Sequence, residues 1–289
     1  MFSKMLVATD LSEASERAVC ALGNLKHLGT REAYLVHVFN IRDVGSLADR
    51  LMELARPSFE RQKKTLEGLG YKVTAKMVLG LPQIEINRQA DEHDCSLVVV
   101  GSTGSTIAGE VLLGGVASAV IHSAIRPVLL LRLRLKDEKG TPCDAYPCDP
   151  LEHVLFPTDF SDNAEHAFAY VNKIAECGAK RITLLHVQDQ ARIGKHLEHK
   201  LNEFNETDNA RLGRLKNDLT QHGVKDVRIE IPYGSPKKEI LARIKKGDVS
   251  LVVMGSQGRG YLGDIFLGSV SHAVARHSTA PVLLVPAKQ

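Results

Sequence analysis

The sequence predicts an α/β fold made of two tandem doubly wound domains, each a five-stranded parallel sheet flanked by helices. Three observations carry this expectation. The second half of the chain repeats the first, short apolar runs alternate with helix-length stretches in both halves, and a polar, proline-bearing segment separates the copies.

The repeat is legible by eye. LVATDLSEASERAV near the start is echoed by LFPTDFSDNAEHAF after the middle, which sets Asp10 against Asp159 and His37 against His186 at one constant offset. A second offset, five residues longer, relates Gly80-Leu-Pro82 to Gly234-Ser-Pro236 and SLVVVGSTG to SLVVMGSQG. The second copy therefore gained its extra residues between its second strand and Gly234. The copies are assigned to residues 1–135 and 151–289, with the non-periodic KDEKGTPCDAYPCD segment inside a linker, 136–150.

Within copy one, KMLVA, AYLVHV, VTAKMV, SLVVVG and PVLLL are short apolar or β-branched runs, as strands buried on both faces require. Between the first two, Ala14, Ala18, Ala21, Leu22 and Leu25 recur at helical spacing over Ser12 to Leu28. Ser12 and Ser161 stand where N-caps belong.

Composition narrows the function classes. The 289 residues are 44% hydrophobic and 25% charged, with a net charge of +3, too mild for the concentrated basic face of a nucleic-acid binder. No apolar run reaches the ~18 residues of a membrane span, and the N-terminus has no signal-peptide pattern. Five scattered cysteines fit a reducing compartment, so a cytoplasmic location is expected, without nucleic-acid or membrane partners. Cys143 and Cys148 read as free thiols, His37 and His186 as satisfied core or rim histidines, and the Lys195–His199 run as a solvated helix face.

GSQGRGYLGDIFLGSVSHAV carries a literal G-x-G-x-x-G at Gly258, Gly260 and Gly263. A dinucleotide fingerprint belongs after the first strand and needs an acidic residue at the end of the next. This one follows the fourth strand, and no Asp or Glu occurs beyond Asp264. Copy one does not keep the spacing either. The two copies instead share G-x-x-G followed by a later glycine: Gly101, Gly104 and Gly114, then Gly255, Gly258 and Gly268. The first pair follows a strand and the last glycine opens a helix, an arrangement suited to phosphate because free N–H groups and the helix dipole meet there. Ser269, Ser271 and Arg259 add hydroxyl donors and a cation.

With these residues in order in both halves, the chain resembles the universal stress protein family in its tandem form. That family's nucleotide-binding members carry G-x2-G-x9-G-[ST], matched by Gly255, Gly258, Gly268 and Ser269, and PTDFS at Pro157 to Ser161 is similar too. The resemblance implies a strand order of 3-2-1-4-5 and ATP or AMP bound at the carboxyl ends of the strands, with Mg admissible beside ATP. It implies Pro157, Thr158 and Asp159 around the nucleoside, the Asp159 carboxylate accepting from ribose hydroxyls, and the Val187 backbone at the adenine edge. Met254 and Gly255 would line the floor, and Gly258, Arg259, Gly268, Ser269, Val270 and Ser271 would surround the phosphates. In copy one the corresponding set is Thr9, Asp10, Val38, Gly101, Gly104, Gly114 and Gly115.

Copy one departs from the pattern. Gly115 replaces Ser269, Ala117 replaces Ser271 and Ser105 replaces Arg259, which removes two hydroxyls and a positive charge. The expected function is an adenine-nucleotide-binding stress-response or regulatory protein, binding mainly in the C-terminal domain and acting through a protein partner that the residues do not identify. A weak ATPase or phosphotransferase on the same site and a non-binding interaction scaffold are the alternatives. No catalytic residue or metal ligand is assigned. The fused copies are expected to pack as an intramolecular pseudo-dimer through PVLLLR and PVLLVP, and the sequence leaves homodimerisation open.

Overall fold

Apolar runs buried on both faces form parallel strands, and the stretches between them form the covering helices. The computed structural model describes residues 2–102, 113–132, 149–258 and 267–288, and the chain divides into two compact units, Met1–Cys148 and Asp149–Gln289. The first unit runs β1 (Lys4–Thr9), α1 (Glu13–Cys20), β2 (Glu32–Asn40), α2 (Ile41–Val44), α3 (Ala48–Gly68), β3 (Lys72–Gly80), α4 (Pro82–Glu92), β4 (Leu97–Gly101), α5 (Gly115–His122) and β5 (Val128–Leu131). Its sheet has the order β3-β2-β1-β4-β5 with every pairing parallel, which is the expected 3-2-1-4-5.

The second unit repeats the plan: β6 (Val154–Pro157), α6 (Asp162–Glu176), β7 (Arg181–Leu185), β8 (Gln188–Asp189), α7 (Gln190–Leu197), α8 (Leu201–Gln221), β9 (Asp226–Glu230), β10 (Tyr233–Gly234), α9 (Pro236–Lys245), β11 (Leu251–Gly255), α10 (Ser269–His277) and β12 (Val282–Val285). Its main sheet is ordered β12-β11-β6-β7-β9, again parallel. The strands β8 and β10 pair separately, at the register that joins Phe39 to Leu79 in the first unit. Pro232 explains the interruption. It stands where copy one has Val78, and without an N–H it cannot continue the ladder that β2 and β3 keep over nine residues. The residues gained by copy two lie largely in the Gln190–Lys200 connection that precedes α8.

Local signals act where the sequence puts them. The Ser12 and Ser161 hydroxyls accept the N–H groups of Ser15 and Ala164, capping α1 and α6. Pro82 and Pro236 open α4 and α9. The expected helix from Ser12 to Leu28 is split. It is α-helical to Cys20 and 3-10 over Ala21–Leu28, where Gly23 and Asn24 weaken helix propensity and the Leu22 carbonyl accepts from the Tyr71 hydroxyl at 2.5 Å. Copy two has no such pair, and α6 runs unbroken for 15 residues. Of the expected linker only Asp149 and Pro150 lie within the described residues. Among these residues no helix is long and apolar enough to cross a membrane.

Each strand order reverses beside the first strand of its unit, so the carboxyl ends of β1 and β4, and of β6 and β11, flank a crevice where loops diverge to opposite faces. Ligands of open α/β sheets bind at that switch point.

Candidate functional site

In the second unit the chain leaves β6 through Thr158, Asp159 and Phe160 and enters α6 at Ser161. The buried Thr158 donates its N–H to the Leu185 carbonyl at 2.9 Å, and its hydroxyl oxygen accepts from the Phe160 N–H. Its own carbonyl accepts from His186 Nδ1 at 2.8 Å. Asp159 Oδ1 accepts both the N–H and the hydroxyl of Ser161, at 3.1 and 2.6 Å. These bonds hold Phe160 at φ +59°, a left-handed conformation that bulky residues rarely adopt. Leu11, the equivalent residue of copy one, sits at φ +62°. The same positive φ is kept in both copies directly after the aspartate.

The glycine loop closes on this turn. A Cβ on Gly258 would lie 2.8 Å from Asp159 Oδ2, so with any other residue here the carboxylate or the backbone at 258 would have to shift. Gly268 is the N-cap of α10, and its N–H binds the Ser256 carbonyl at 2.7 Å. A Cβ there would sit 3.3 Å from the Gln257 Cα and 3.4 Å from the Gly258 nitrogen, so the two ends of the loop are stacked on each other. The first hydrogen bond within α10 runs from the His272 N–H to the Gly268 carbonyl. The Ser269, Val270 and Ser271 N–H groups thus form the positive end of the helix, with Ser269 exposed.

The structure brings Thr158, Asp159, Gly255, Gly258, Gly268 and Ser269 together at the carboxyl edge, with Pro157 ending β6 and the buried Met254 and Val187 beside them. Ser271 differs from expectation in one respect. Its hydroxyl is buried and donates to the Gly255 carbonyl at 2.8 Å, so it ties α10 to β11 and is not directed outward as a phosphate donor. Arg259 lies outside the described residues, as do Gly104, Ser105, Cys143 and Cys148.

Sequence reasoning missed several residues. Asn163, the second residue of α6, donates from Nδ2 to the Gln257 carbonyl at 3.1 Å and fills the space over Gly255. The Phe160 ring contacts both the His186 ring, 4.5 Å between centroids, and the Arg211 guanidinium, 5.2 Å away on α8. Asp208 on the same helix receives the Gln188 side-chain amide at 3.1 Å and faces His186 Nε2 at 3.6 Å. Asn163 had a signal in the repeat itself, since copy one carries Ala14 at that position. The α8 residues had none, because the offset between the copies changes there.

Copy one keeps the same frame. Thr9 is buried and accepts from the Leu11 N–H, and His37 Nδ1 pairs with the Thr9 carbonyl at 2.8 Å. Asp10 Oδ1 accepts from the Ser12 N–H, the Ser12 hydroxyl and also the Ser15 hydroxyl. Gly114 is the N-cap of α5 and binds the Ser102 carbonyl at 2.7 Å. Gly101 ends β4 and the half-buried Val38 lies near the end of β2. Gly115 has open space around it and Ala117 is buried.

The profile of the Universal stress protein family matches residues 1–132 and again 150–286. The Universal stress protein MJ0577 of Methanocaldococcus jannaschii is 31% identical over 155 residues, covering 46% of this chain and 96% of its own. The Universal stress protein YxiE of Bacillus subtilis is 34% identical over 143 residues, covering 46% of this chain and 97% of its own. A crystal structure of a universal stress protein from Archaeoglobus fulgidus superimposes on the full length of both chains with a TM-score of 0.78 at 25% identity. With both halves matched, the chain belongs to the universal stress protein family, in its two-domain form.

Proposed function

We propose that this protein binds an adenine nucleotide, ATP or AMP, in its C-terminal domain, and that occupancy regulates how it meets a protein partner in a stress response. The observation that carries this reading is the contact of the glycine loop with the aspartate turn. Gly258 lies so close to Asp159 that a Cβ would collide with the carboxylate, and Gly268 brings the N-terminus of α10 to the same point. One crevice then offers a carboxylate for ribose hydroxyls and backbone N–H groups for phosphates. The groups that would hold the nucleotide are Asp159 at the ribose, the Val187 backbone at the base, and the N–H groups of Gly258, Ser269, Val270 and Ser271 at the phosphates, with the Ser269 hydroxyl beside them. Among the described residues no cluster of three or more His, Cys, Asp or Glu side chains could hold a metal ion, so a magnesium ion arriving with ATP would rest chiefly on phosphate oxygens.

Binding needs no base or nucleophile, and the two histidines of the turns hold backbone carbonyls through Nδ1. The test is to denature purified protein, separate the released small molecules by chromatography, and titrate emptied protein with ATP and AMP by calorimetry. Adenine nucleotide in the released fraction, or saturable heat with either ligand, is expected. Absence of both overturns the proposal.

A further inference from the structure

Resting on that reading, we infer that Asn163 is a positioning residue of the C-terminal site, a latch that holds the glycine loop in its phosphate-ready shape before ligand arrives. Three observations converge on this side chain. Its Nδ2 donates to the Gln257 carbonyl, 94 residues away in sequence, at the middle of the G-x-x-G turn. Gly255 makes room for it, because a Cβ there would lie 2.8 Å from Nδ2 and 3.0 Å from Cγ. Among the described residues its Oδ1 is buried without a hydrogen-bond partner, which leaves the bond from Nδ2 to Gln257 to orient the amide.

The latch fixes more than one bond. Gln257 lies between Ser256, whose carbonyl receives the Gly268 N–H, and Gly258, whose backbone abuts Asp159. Anchoring the Gln257 carbonyl orients the peptide groups on either side of it, and through them the approach of α10 to the aspartate turn. A loop fixed in advance loses less entropy when a phosphate binds. Copy one has the same aspartate turn and the same helix-capping glycine but Ala14 in place of Asn163. A small pocket there is lined by residues that include Ala14 and Gly101, the counterparts of Asn163 and Gly255. The latch therefore separates the two copies independently of the hydroxyls and the charge that copy one lacks.

Alanine at this helix position is compatible with the fold, since Ala14 occupies it in α1. The test compares wild type with Asn163→Ala and with Asn163→Leu, which keeps the branching at Cγ but has no donor. Both variants should bind ATP about tenfold more weakly, the scale of one lost hydrogen bond, and bind adenosine unchanged. In ligand-free protein both should exchange the Gly268 amide hydrogen faster than wild type while the α6 amides stay protected. Equal loss of ATP and adenosine affinity, or recovery in Asn163→Leu, would mean that the residue only packs and overturns the inference. Failure of wild type to bind any nucleotide removes the functional reading, whereas unchanged Gly268 exchange in the variants removes the latch whatever the ligand.

Discussion

The two domains share a skeleton and differ in the groups mounted on it. In both, an aspartate follows the first strand, a bulky residue is held at positive φ after it, a histidine from the second strand grips the turn's carbonyl, and a glycine caps the helix after the fourth strand. The N-terminal domain lacks Asn163, Ser269 and Ser271 equivalents, and its Asp10 carboxylate also accepts from the Ser15 hydroxyl. The two copies thus share backbone conformation at these turns and differ in polar side chains, and the shared turns also cap helices in both.

The largest effect that would sharpen this contrast comes from Gly258→Val. The new Cβ would meet Oδ2 of the Asp159 carboxylate, whose Oδ1 is bonded to Ser161, so either the carboxylate turns away from its cap bonds or the backbone at 258 moves off the turn. Calorimetry should find ATP affinity reduced by more than about a hundredfold, the scale of two or more charge-assisted contacts. Gly114→Ala in copy one, at the counterpart of Gly268, where among the described residues the new Cβ would meet the Ser102 carbonyl at 3.4 Å, should leave affinity unchanged. Equal effects at both positions would break the asymmetry.

Removing each aspartate should divide the two roles of the turn. Asp159→Ala is expected to weaken nucleotide binding by roughly 10- to 100-fold, since hydrogen bonds to a charged group contribute about 1.5–3 kcal/mol. Asp10→Ala should leave binding unaltered and instead lower the stability of the N-terminal domain, because three donors from Ser12 and Ser15 lose their acceptor. Urea unfolding alongside calorimetry reads both quantities. Ser271→Ala reproduces the Ala117 of copy one, and loss of its bond to the buried Gly255 carbonyl should cost about 1 kcal/mol of stability with a smaller change in affinity.

The fold was legible because its signals are local and occur twice. Strand runs and the Ser12 and Ser161 caps each depend on a few neighbouring residues, and the repeat supplied an internal control for each. The glycines of the site could be placed on the carboxyl edge from strand order alone. Three things were not legible. Whether the Ser271 hydroxyl faces ligand or carbonyl depends on helix rotation, which spacing does not set. The division of the outer strands follows from Pro232, whose effect emerges only once Val187 is known to lie opposite it in register. The clasp of Arg211 on Phe160 joins residues from two elements whose angle of approach is a tertiary property.

Acid should also discriminate between the domains, though more gently. His153, at the start of β6, is 2% exposed, with Nδ1 against the Asp248 carbonyl at 3.0 Å and Nε2 against the Thr183 hydroxyl at 2.8 Å. Burial holds its pKa below the usual imidazole value despite the nearby Asp248 carboxylate. Copy one has Lys4 at that position, and its own depressed histidine is His37, lowered by burial against the opposing pull of the Thr9 carbonyl and Asp10. An unfolded histidine takes up its proton near pH 6.5, and these folded ones do so at lower pH. Between the two values the unfolded chain binds more protons, so stability is complete above about pH 6.5 and declines as the pH falls through the folded values. Melting temperature should therefore drop between pH 7.5 and 5.5. His153→Gln should flatten the pH dependence of the C-terminal domain's melting and His37→Gln that of the N-terminal domain. Hydrogen exchange resolved by domain assigns each change, and an unaltered slope in His153→Gln would remove that histidine from the acid response.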